Sequence, residues 1–389
     1  MTNNALQQLG TMGQSIWIDY IRRNLIVSGE LRRLIEQDGL RGMTSNPAIF
    51  EQAIATSHEY TADILAMALE GRTAKVIYET LSQRDVCGAA DEFRALYDSS
   101  NGGDGYVSLE VNPHLAHDTG GTIDEARRLW ATLNRPNVMI KVPATLSGLP
   151  AIEQLVSEGI NINVTLLFGL PRYRQVAEAY IAGIEKRAAQ GKQVMRVVSV
   201  ASFFVSRIDA LVDSLLGRLA LSGTKHGAIA EGLRGKAAVA SAKLAYQMHK
   251  EIFGGDRFRE LAAHGAFVQR LLWASTGTKD PEYSDVKYVE ELIGPATVNT
   301  VPVKTLNAYR DHGKPELRLE RDIGEARLAL ASLHELGIDI DWVTMQLEAQ
   351  GVEKFNEPFD KLMKVLARRS PPPQVKKTED DAEASRSRI

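Results

Sequence analysis

The residue best suited to chemistry in this sequence is a lysine inside an apolar segment. Lys141 lies in VMIKVPAT (138–145), with apolar residues on both sides. Lysine is almost never fully buried without a partner, because removing an ammonium group from water is costly. A desolvated lysine near another cation is readily held as a neutral amine, which attacks carbonyl carbon. The segment predicts a Schiff-base lysine; the alternative is a structural salt bridge to Glu110 or Asp19.

Two carboxylates occur in similarly apolar surroundings. Asp19 lies in IWIDY and Glu110 in SLEVN. Schiff-base chemistry needs groups that move protons at the carbinolamine hydroxyl and at the alcohol beside the cleaved carbon–carbon bond. Asp19 and Glu110 are therefore the predicted acid–base pair. Each is also suited to act as the counter-ion of Lys141 or as the cap of the following helix, and a carboxylate can pair with lysine at rest and titrate during turnover.

Further polar side chains interrupt the other apolar segments near their C-terminal ends. An amide group can both donate and accept hydrogen bonds, so the amides of Asn46 and Asn163 suit the hydroxyls of a sugar. The members of this set are Thr44 with Asn46, Asn163 with Thr165, Ser202, Ser275, and Asn299 with Thr300. Asn46 precedes Pro47 and is also a favourable helix N-cap.

A phosphate site is predicted at Arg207, in SFFVSRID at the start of a helix. A guanidinium beside the free amides of a helix N-terminus binds phosphate without an overall basic charge. The alternative is a surface ion pair with Asp209 or Asp213. His114 and His117 are spaced as metal ligands, but nothing else in the sequence completes a ligand set. No metal and no organic cofactor is expected.

The elements that must position these residues alternate between strands and helices. Eight apolar, β-branched segments are predicted strands: 15–20, 41–46, 106–111, 138–145, 162–168, 194–204, 268–276 and 296–302. Helical periodicity covers 28–38, 47–69, 72–99, 122–133, 148–158, 171–190, 203–220, 237–252, 304–312, 322–336 and 341–369. Eight strands buried on both faces and alternating with helices indicate an α/β fold, a single (β/α)8 TIM-type barrel with extra helices and a C-terminal helical extension. A doubly wound open sheet is the alternative.

Composition limits the classes of partner. Formal net charge is −3, with 46 basic and 49 acidic residues and no basic run, which argues against nucleic acid as a partner. No apolar stretch is long enough to span a membrane, and the N-terminus lacks the pattern of a signal peptide, so a cytoplasmic protein is expected. The catalytic domain is predicted over residues 1–369, and the polar, proline-containing residues 370–389 are predicted to be a disordered tail.

The motifs also resemble those of a known family. GMTSNPAIF, SLEVNP, VMIKVPAT, GININVTLLF and VASFFVSRID are similar, in order and context, to segments of transaldolases, and the chain resembles the longer bacterial type over roughly residues 10–365. The resemblance implies a (β/α)8 barrel with Lys141 as Schiff-base lysine on strand four and Asp19 as acid–base group. It implies that Glu110 acts with a water held by Thr165. Substrate hydroxyls would be held by Thr44, Asn46, Asn163 and Ser202, and phosphate by Arg207 and Ser275.

Two positions bear on how closely the resemblance holds. Similar enzymes often have an arginine two residues after the serine that corresponds to Ser275, whereas this sequence has Gly277 there and Lys279 two residues further on. Lys279 is the candidate for the second phosphate-binding cation. Phe204 is typical of the transferring enzymes, since relatives that act as simple aldolases tend to have tyrosine at that place.

The resemblance implies a transferase of the pentose phosphate pathway. It would move a dihydroxyacetone unit from fructose 6-phosphate or sedoheptulose 7-phosphate to erythrose 4-phosphate or glyceraldehyde 3-phosphate. A fructose 6-phosphate aldolase, a cofactor-free sugar-phosphate isomerase and a non-catalytic sugar-phosphate-binding barrel are the other hypotheses. The expected partners are small sugar phosphates. The resemblance implies a homodimer, and a monomer is the alternative.

Overall fold

Eight parallel strands form the centre of the protein. The computed structural model describes residues 4–221 and 225–369. The strands are β1 (Gln14–Asp19), β2 (Gly42–Thr44), β3 (Tyr106–Glu110), β4 (Val138–Pro143), β5 (Ile162–Leu167), β6 (Ser199–Phe204), β7 (Arg270–Ala274) and β8 (Thr297–Val301). Each pairs in parallel with its neighbours in the sequence, and β8 pairs with β1 to close the barrel. The predicted barrel is confirmed, and the open-sheet alternative is wrong.

Helices surround the barrel and connect its strands. In chain order they are α1 (Ala5–Thr11), α2 (Arg23–Val27), α3 (Glu30–Asp38), α4 (Pro47–Thr56), α5 (Thr61–Leu69), α6 (Ala74–Glu92), α7 (Arg94–Ser99), α8 (Thr119–Leu133), α9 (Gly148–Glu158), α10 (Leu170–Ala189), α11 (Ser206–Ala220), α12 (Lys225–Leu233), α13 (Ala237–Phe253), α14 (Asp256–Ala263), α15 (Lys287–Glu290), α16 (Val303–His312), α17 (Ile323–Glu335) and α18 (Ile340–Arg369). Short 3-10 turns occur at His58–Tyr60 and Pro113–Leu115. Among the described residues, no helix is both long and apolar enough to cross a membrane.

Several predicted boundaries are wrong for identifiable reasons. The sixth strand begins at Ser199 rather than at 194, because Arg196 has a positive φ of 71° and interrupts the extended backbone. The helix predicted from 122 begins at Thr119, since Asp118 caps it by accepting a hydrogen bond from the amide of Gly121. The tail predicted over 370–389 lies outside the described residues.

The alternation of side chains along each strand decides which residues face the barrel axis. Ser15, Trp17 and Asp19 share one face of β1, and Ser15 bonds to Arg270 of β7 across the N-terminal end of the barrel. Trp17 lies against Gly42, where an added Cβ would be 2.4 Å from the indole ring. Asp19 therefore also faces inward, at the C-terminal end of its strand. We call this end, formed by the C-termini of the eight strands, the mouth.

The C-terminal helix α18 packs beside the mouth rather than in the outer ring alone. It contacts β5, α4, α6 and α11. Gly351 permits this close approach, because a Cβ there would lie 2.9 Å from Leu166 Cδ2 and 3.5 Å from the Phe168 ring. The predicted helical extension thus becomes a wall of the central site.

Candidate active site

The inward-facing positions of consecutive strands bring the predicted polar residues together. Register pairs Glu110 with Lys141, and Lys141 with Asn163. Register likewise pairs Asp19 with Thr44. Paired residues of parallel strands share a face of the sheet, so all five side chains face the barrel axis near the mouth.

Lys141 is buried and is held by two neighbours. Its Nζ donates a hydrogen bond to the carbonyl oxygen of Ser45 at 2.9 Å and lies 3.6 Å from Glu110 Oε2. Only 4% of Lys141 and 7% of Glu110 is exposed. The salt bridge that the sequence offered as an alternative reading is thus present. The distance between the charged atoms exceeds that of a hydrogen bond, so the amine is paired but not immobilised by the carboxylate.

Burial changes the acid–base behaviour of Glu110. Loss of hydration raises the pKa of its carboxyl to about 7, and the positive charge of Lys141 offsets part of that rise. Neither carboxylate oxygen has a hydrogen-bond partner among the described residues. A carboxyl group with such a pKa exchanges protons readily near neutral pH, as general acid–base catalysis requires.

Asp19 is the second buried carboxylate of the mouth. Desolvation raises its pKa, while the positive charge of Lys141 and a hydrogen bond from Thr44 act in the opposite direction. Thr44 Oγ1 donates to Asp19 Oδ1 at 2.7 Å and lies 2.7 Å from Thr300 Oγ1. Since Thr44 has one hydroxyl proton, Thr300 is the donor in that second contact. This chain of hydroxyls fixes the orientation of the carboxylate.

A hydrogen-bonded row of polar side chains faces the axis next to Lys141. Asn163 Nδ2 donates to Ser108 Oγ at 3.0 Å, and Ser202 Oγ donates to Asn163 Oδ1 at 2.6 Å. Thr165 follows Asn163 on the same face of β5. Its Oγ1 is buried and has no hydrogen-bond partner in the part of the chain that is described. The amide plane of Asn163 is therefore fixed, while Thr165 retains an unused hydroxyl.

Two asparagines of the predicted polar set have surroundings different from those of Asn163. Asn46 is half-buried and caps α4, because its Oδ1 accepts a hydrogen bond from the amide of Ile49 at 3.1 Å. The predicted cap is therefore confirmed, and a contact of Asn46 with substrate stays a prediction. Asn299 alternates with the inward-facing Thr300, so its side chain faces the helical layer and not the mouth.

Arg207 makes neither of the ion pairs considered from the sequence. Asp209 accepts hydrogen bonds from the amide of Ala238 and from Tyr288, and Asp213 is bonded to Gly235 and Tyr283. No salt bridge of Arg207 occurs within the described residues, and its Nη1 is buried without a hydrogen-bond partner there.

The Arg207 guanidinium lies over the ring of Phe204, 5.5 Å from the centroid. Desolvation lowers the pKa of this guanidinium below its ordinary value, but an arginine in a protein still remains charged. A half-buried cation with free donors, positioned by an aromatic ring at the first turn of α11, is suited to bind an anion.

Ser275 is next to Arg207 through the intervening Ser206. The two serine hydroxyls lie 3.1 Å apart, and the amide of Ser206 donates to the carbonyl of Ser275. Ser275 has a positive φ of 55°, which is uncommon for a residue with a side chain. The strained backbone after β7 thus brings Ser275 to the start of α11.

Lys279 is exposed, and its positive charge acts on both Arg207 and Asp19. Its electrostatic proximity to Arg207 is consistent with a second cation at the predicted phosphate site. Gly277 faces Pro302, which lies 3.2 Å from where a Cβ would be. A large side chain at position 277 would therefore require Pro302 to move.

The two histidines considered as metal ligands are not part of such a group. The described residues contain no cluster of three or more His, Cys, Asp or Glu side chains arranged to hold a metal. His114 Nε2 instead lies 2.7 Å from Asp360 of α18.

Three contributors to the mouth lie outside the set of residues predicted from the sequence. Ser45 acts through its main-chain carbonyl, for which side-chain type carries no signal. Ser108 lies two residues before Glu110 on β3, and the period-two rule applied to that strand would have placed it on the inner face. The third is Phe355 of α18, whose ring centroid is 5.9 Å from Lys141 Nζ. No local pattern on a helix so distant in sequence connects it with Lys141.

Comparison of the sequence with known proteins identifies the family of this chain. The family model described as "Transaldolase/Fructose-6-phosphate aldolase" matches residues 16–366. The chain is 48% identical over 371 residues to "Transaldolase 2" of Nostoc punctiforme, covering 94% of this chain and 97% of that protein. It is 48% identical over 360 residues to "Transaldolase" of Thiobacillus denitrificans, covering 92% and 99%. It is 47% identical over 370 residues to "Transaldolase 1" of Streptomyces coelicolor, covering 94% and 95%. The chain therefore belongs to the transaldolase family.

Proposed function

We propose that this protein transfers a dihydroxyacetone unit between sugar phosphates through a Schiff base on Lys141. The observation that carries the proposal is one buried amine with a buried carboxylate at 3.6 Å, both on the inner face of a parallel barrel. A second buried carboxylate, Asp19, lies within electrostatic reach of the same amine. This set supplies a nucleophile and two proton-transfer groups in one desolvated site.

The first half of the reaction forms the imine and cleaves the donor. Glu110 accepts a proton from Lys141, whose amine attacks C2 of a ketose phosphate such as fructose 6-phosphate, and Glu110 then moves protons as the carbinolamine loses water. The resulting iminium draws electrons from the C3–C4 bond. Asp19 accepts the proton of the C4 hydroxyl as that bond breaks, an aldose phosphate leaves, and an enamine of dihydroxyacetone remains on Lys141.

The second half reverses these steps with a new aldehyde. The enamine carbon attacks the carbonyl of an acceptor such as erythrose 4-phosphate, and Asp19 returns its proton to the new hydroxyl. Water adds to C2 of the iminium with Glu110 again moving protons, and the ketose phosphate leaves. The unused hydroxyl of Thr165 on the inner face is suited to hold that water.

The anionic end of the substrate is assigned to the first turn of α11. Arg207 offers donors that no described residue uses, and Ser206 and Ser275 add hydroxyls beside it. Lys279 adds a second positive charge. A protein with a net charge of −3 can recognise phosphate in this way because the cations are local.

Borohydride reduction tests the covalent step. Reduction in the presence of fructose 6-phosphate should leave a stable adduct on the peptide that contains Lys141, as located by mass spectrometry. Lys141→Ala should abolish the adduct, while circular dichroism and the unfolding midpoint report whether the fold is kept. An adduct of undiminished yield in Lys141→Ala would refute the assignment.

The product mixture separates this function from its alternatives. A transaldolase should consume fructose 6-phosphate only when an aldose phosphate acceptor is present, whereas a fructose 6-phosphate aldolase releases free dihydroxyacetone without one. An isomerase would exchange protons with solvent without cleaving carbon–carbon bonds, and a binding protein would form no adduct. Activity should persist in excess chelator; activity that is lost and then restored by a divalent metal would favour a metal-dependent aldolase.

A further inference from the structure

The C-terminal helix brings an aromatic ring to the reactive amine. Phe355 of α18 is 4% exposed, and its ring centroid lies 5.9 Å from Lys141 Nζ. Two polar groups of the barrel also lie near this nitrogen, the Ser45 carbonyl and the Glu110 carboxylate. Phe355 is thus the apolar group that the helical extension adds to the surroundings of Lys141.

Polar side-chain contacts on both sides of Phe355 join this part of α18 to the rest of the protein. Before Phe355, Glu348 Oε2 lies 3.0 Å from Arg172 Nε of α10. After it, Asp360 lies 2.7 Å from His114, and Lys361 lies 2.7 Å from Glu51 of α4. These three contacts connect α18 to three different parts of the protein and so favour one position of the segment that carries the ring.

We propose that Phe355 is a specificity-determining residue, whose ring retains the three-carbon unit on Lys141 until an acceptor arrives. This inference rests on the proposed Schiff-base function and adds to it a reason for transfer rather than release. The retained species is the enamine formed after the donor is cleaved.

Release of the three-carbon unit would require water at the nitrogen and at C2. The enamine first takes a proton at C3 and becomes an iminium. Water then adds to C2 and loses a proton, and the nitrogen is protonated. The C–N bond breaks as the C2 hydroxyl gives its proton to solvent, which leaves dihydroxyacetone and the free amine of Lys141. A buried aromatic ring beside the nitrogen excludes bulk water and so slows this hydrolysis. Glu110 on the neighbouring strand still exchanges protons with the water that takes part in the productive cycle.

The ring also favours the charged form of the imine. The face of an aromatic ring attracts a cation within about 6 Å of its centroid, and more strongly where water is excluded. The protonated imine nitrogen of the intermediate replaces the ammonium of the resting enzyme at the same place. Removing the ring should therefore reduce the amount of trapped iminium even where an apolar side chain still fills the space.

Two substitutions separate the covering effect from the charge effect. Phe355→Ala removes both the cover and the ring, whereas Phe355→Leu keeps an apolar cover without a π system. Phe359→Ala and Phe359→Leu are the matched controls, because Phe359 lies one turn later on α18 and packs against Tyr78 at a ring distance of 5.5 Å. Two quantities are measured in each protein: acceptor-free dihydroxyacetone release from fructose 6-phosphate, and the yield of borohydride-trapped adduct on Lys141.

Phe355→Ala should raise the ratio of release to transfer by about tenfold, which corresponds to about 1.4 kcal/mol. Phe355→Leu should raise that ratio much less, yet lower the adduct yield several-fold. Both Phe359 variants should behave as the wild type in the two assays. Circular dichroism and unfolding midpoints show whether the paired variants have lost comparable stability.

Each outcome bears on one proposal or on both. If the wild type yields no lysine adduct, the Schiff-base function fails and this inference fails with it. If the wild type yields the adduct but Phe355→Ala and Phe359→Ala show equal release and equal yield, only the role of Phe355 is overturned. Equal increases of release in both alanine variants would indicate general loosening of α18 and would also overturn it.

Discussion

At the scale of single residues, the buried carboxyl of Glu110 links the site to the stability of the fold. Its pKa rises from the ordinary value of 4.5 to about 7 on folding, because burial removes its hydration. Between these two values the folded state binds more protons than the unfolded state. The free energy of unfolding must therefore fall as pH rises through this window, by at most about 1.4 kcal/mol per pH unit from this group.

Glu110→Gln removes that dependence. The stability of the variant relative to wild type should increase as pH rises from about 5 to about 7 and should then level off. Urea unfolding at a series of pH values measures the difference. The exposed Glu36→Gln provides a control whose difference from wild type should stay constant. Parallel curves for Glu110→Gln and wild type would contradict the raised pKa.

Arg207 is the residue at which phosphate recognition can be tested alone. Arg207→Met should raise KM for a phosphorylated ketose about 10- to 100-fold, since a hydrogen-bonded charge contributes about 1.5–3 kcal/mol. Turnover of an unphosphorylated ketose such as fructose should change little. Arg218→Met, on the same helix but in its last turn, is the control. Equal KM changes for both kinds of substrate would exclude Arg207 as the phosphate ligand.

At the scale of elements, the turn after β4 determines where Lys141 lies. Gly148 begins α9, and a Cβ there would be 2.0 Å from the carbonyl oxygen of Pro143, two residues after Lys141. Thr145 completes the turn by accepting a hydrogen bond from the amide of Gly148 at 3.0 Å. A side chain at position 148 must move the backbone of the strand that carries the nucleophile.

Gly148→Ala should therefore destabilise the protein by about 1–3 kcal/mol and slow adduct formation on Lys141. Gly217→Ala is the matched control, because Gly217 lies inside α11 with no atom within 4 Å of the added Cβ. It should stabilise by about 0.5–1 kcal/mol through helix propensity. Unfolding in urea and the trapping rate measure both effects; similar behaviour of the two variants would disprove the steric argument.

Local patterns within strands and helices predict part of the site but not all of it. Strands buried on both faces are readable from their apolar runs, and residues on them converge at one end of a barrel, so Asp19, Glu110 and Lys141 were located correctly relative to one another. The sequence does not indicate which of the adjacent Asn299 and Thr300 faces the barrel axis. Both faces of β8 are buried, and only the register with β1 assigns the inner face. Phe355 was not readable because its contact with Lys141 depends on the path of a whole helix across the mouth.

At the scale of the whole molecule, the distribution of charge determines how an anionic substrate is attracted to the mouth. The net charge of −3 provides no overall attraction for an anionic substrate. Positive charge at the mouth, in addition to that of Lys141, comes from Arg207, from Lys279 and from Lys354 of α18, which acts on Lys279. Both lysines are exposed and Arg207 is half-buried. Salt should therefore screen the lysines strongly and the arginine weakly.

This arrangement predicts a modest and localised salt effect. The Debye length falls from about 10 Å at 0.1 M to about 3 Å at 1 M salt, so kcat/KM for a phosphorylated ketose should fall a few-fold over that range. The double variant Lys279→Gln/Lys354→Gln should start lower and depend less on salt, because the screened charges are already absent. Lys250→Gln is the control, because it removes a lysine of the outer helix α13 that pairs with Glu320. This variant should keep the wild-type dependence of kcat/KM on salt. If the double variant keeps that dependence as well, the exposed lysines take no part in attracting the substrate, and recognition of phosphate falls to Arg207 and the serines beside it.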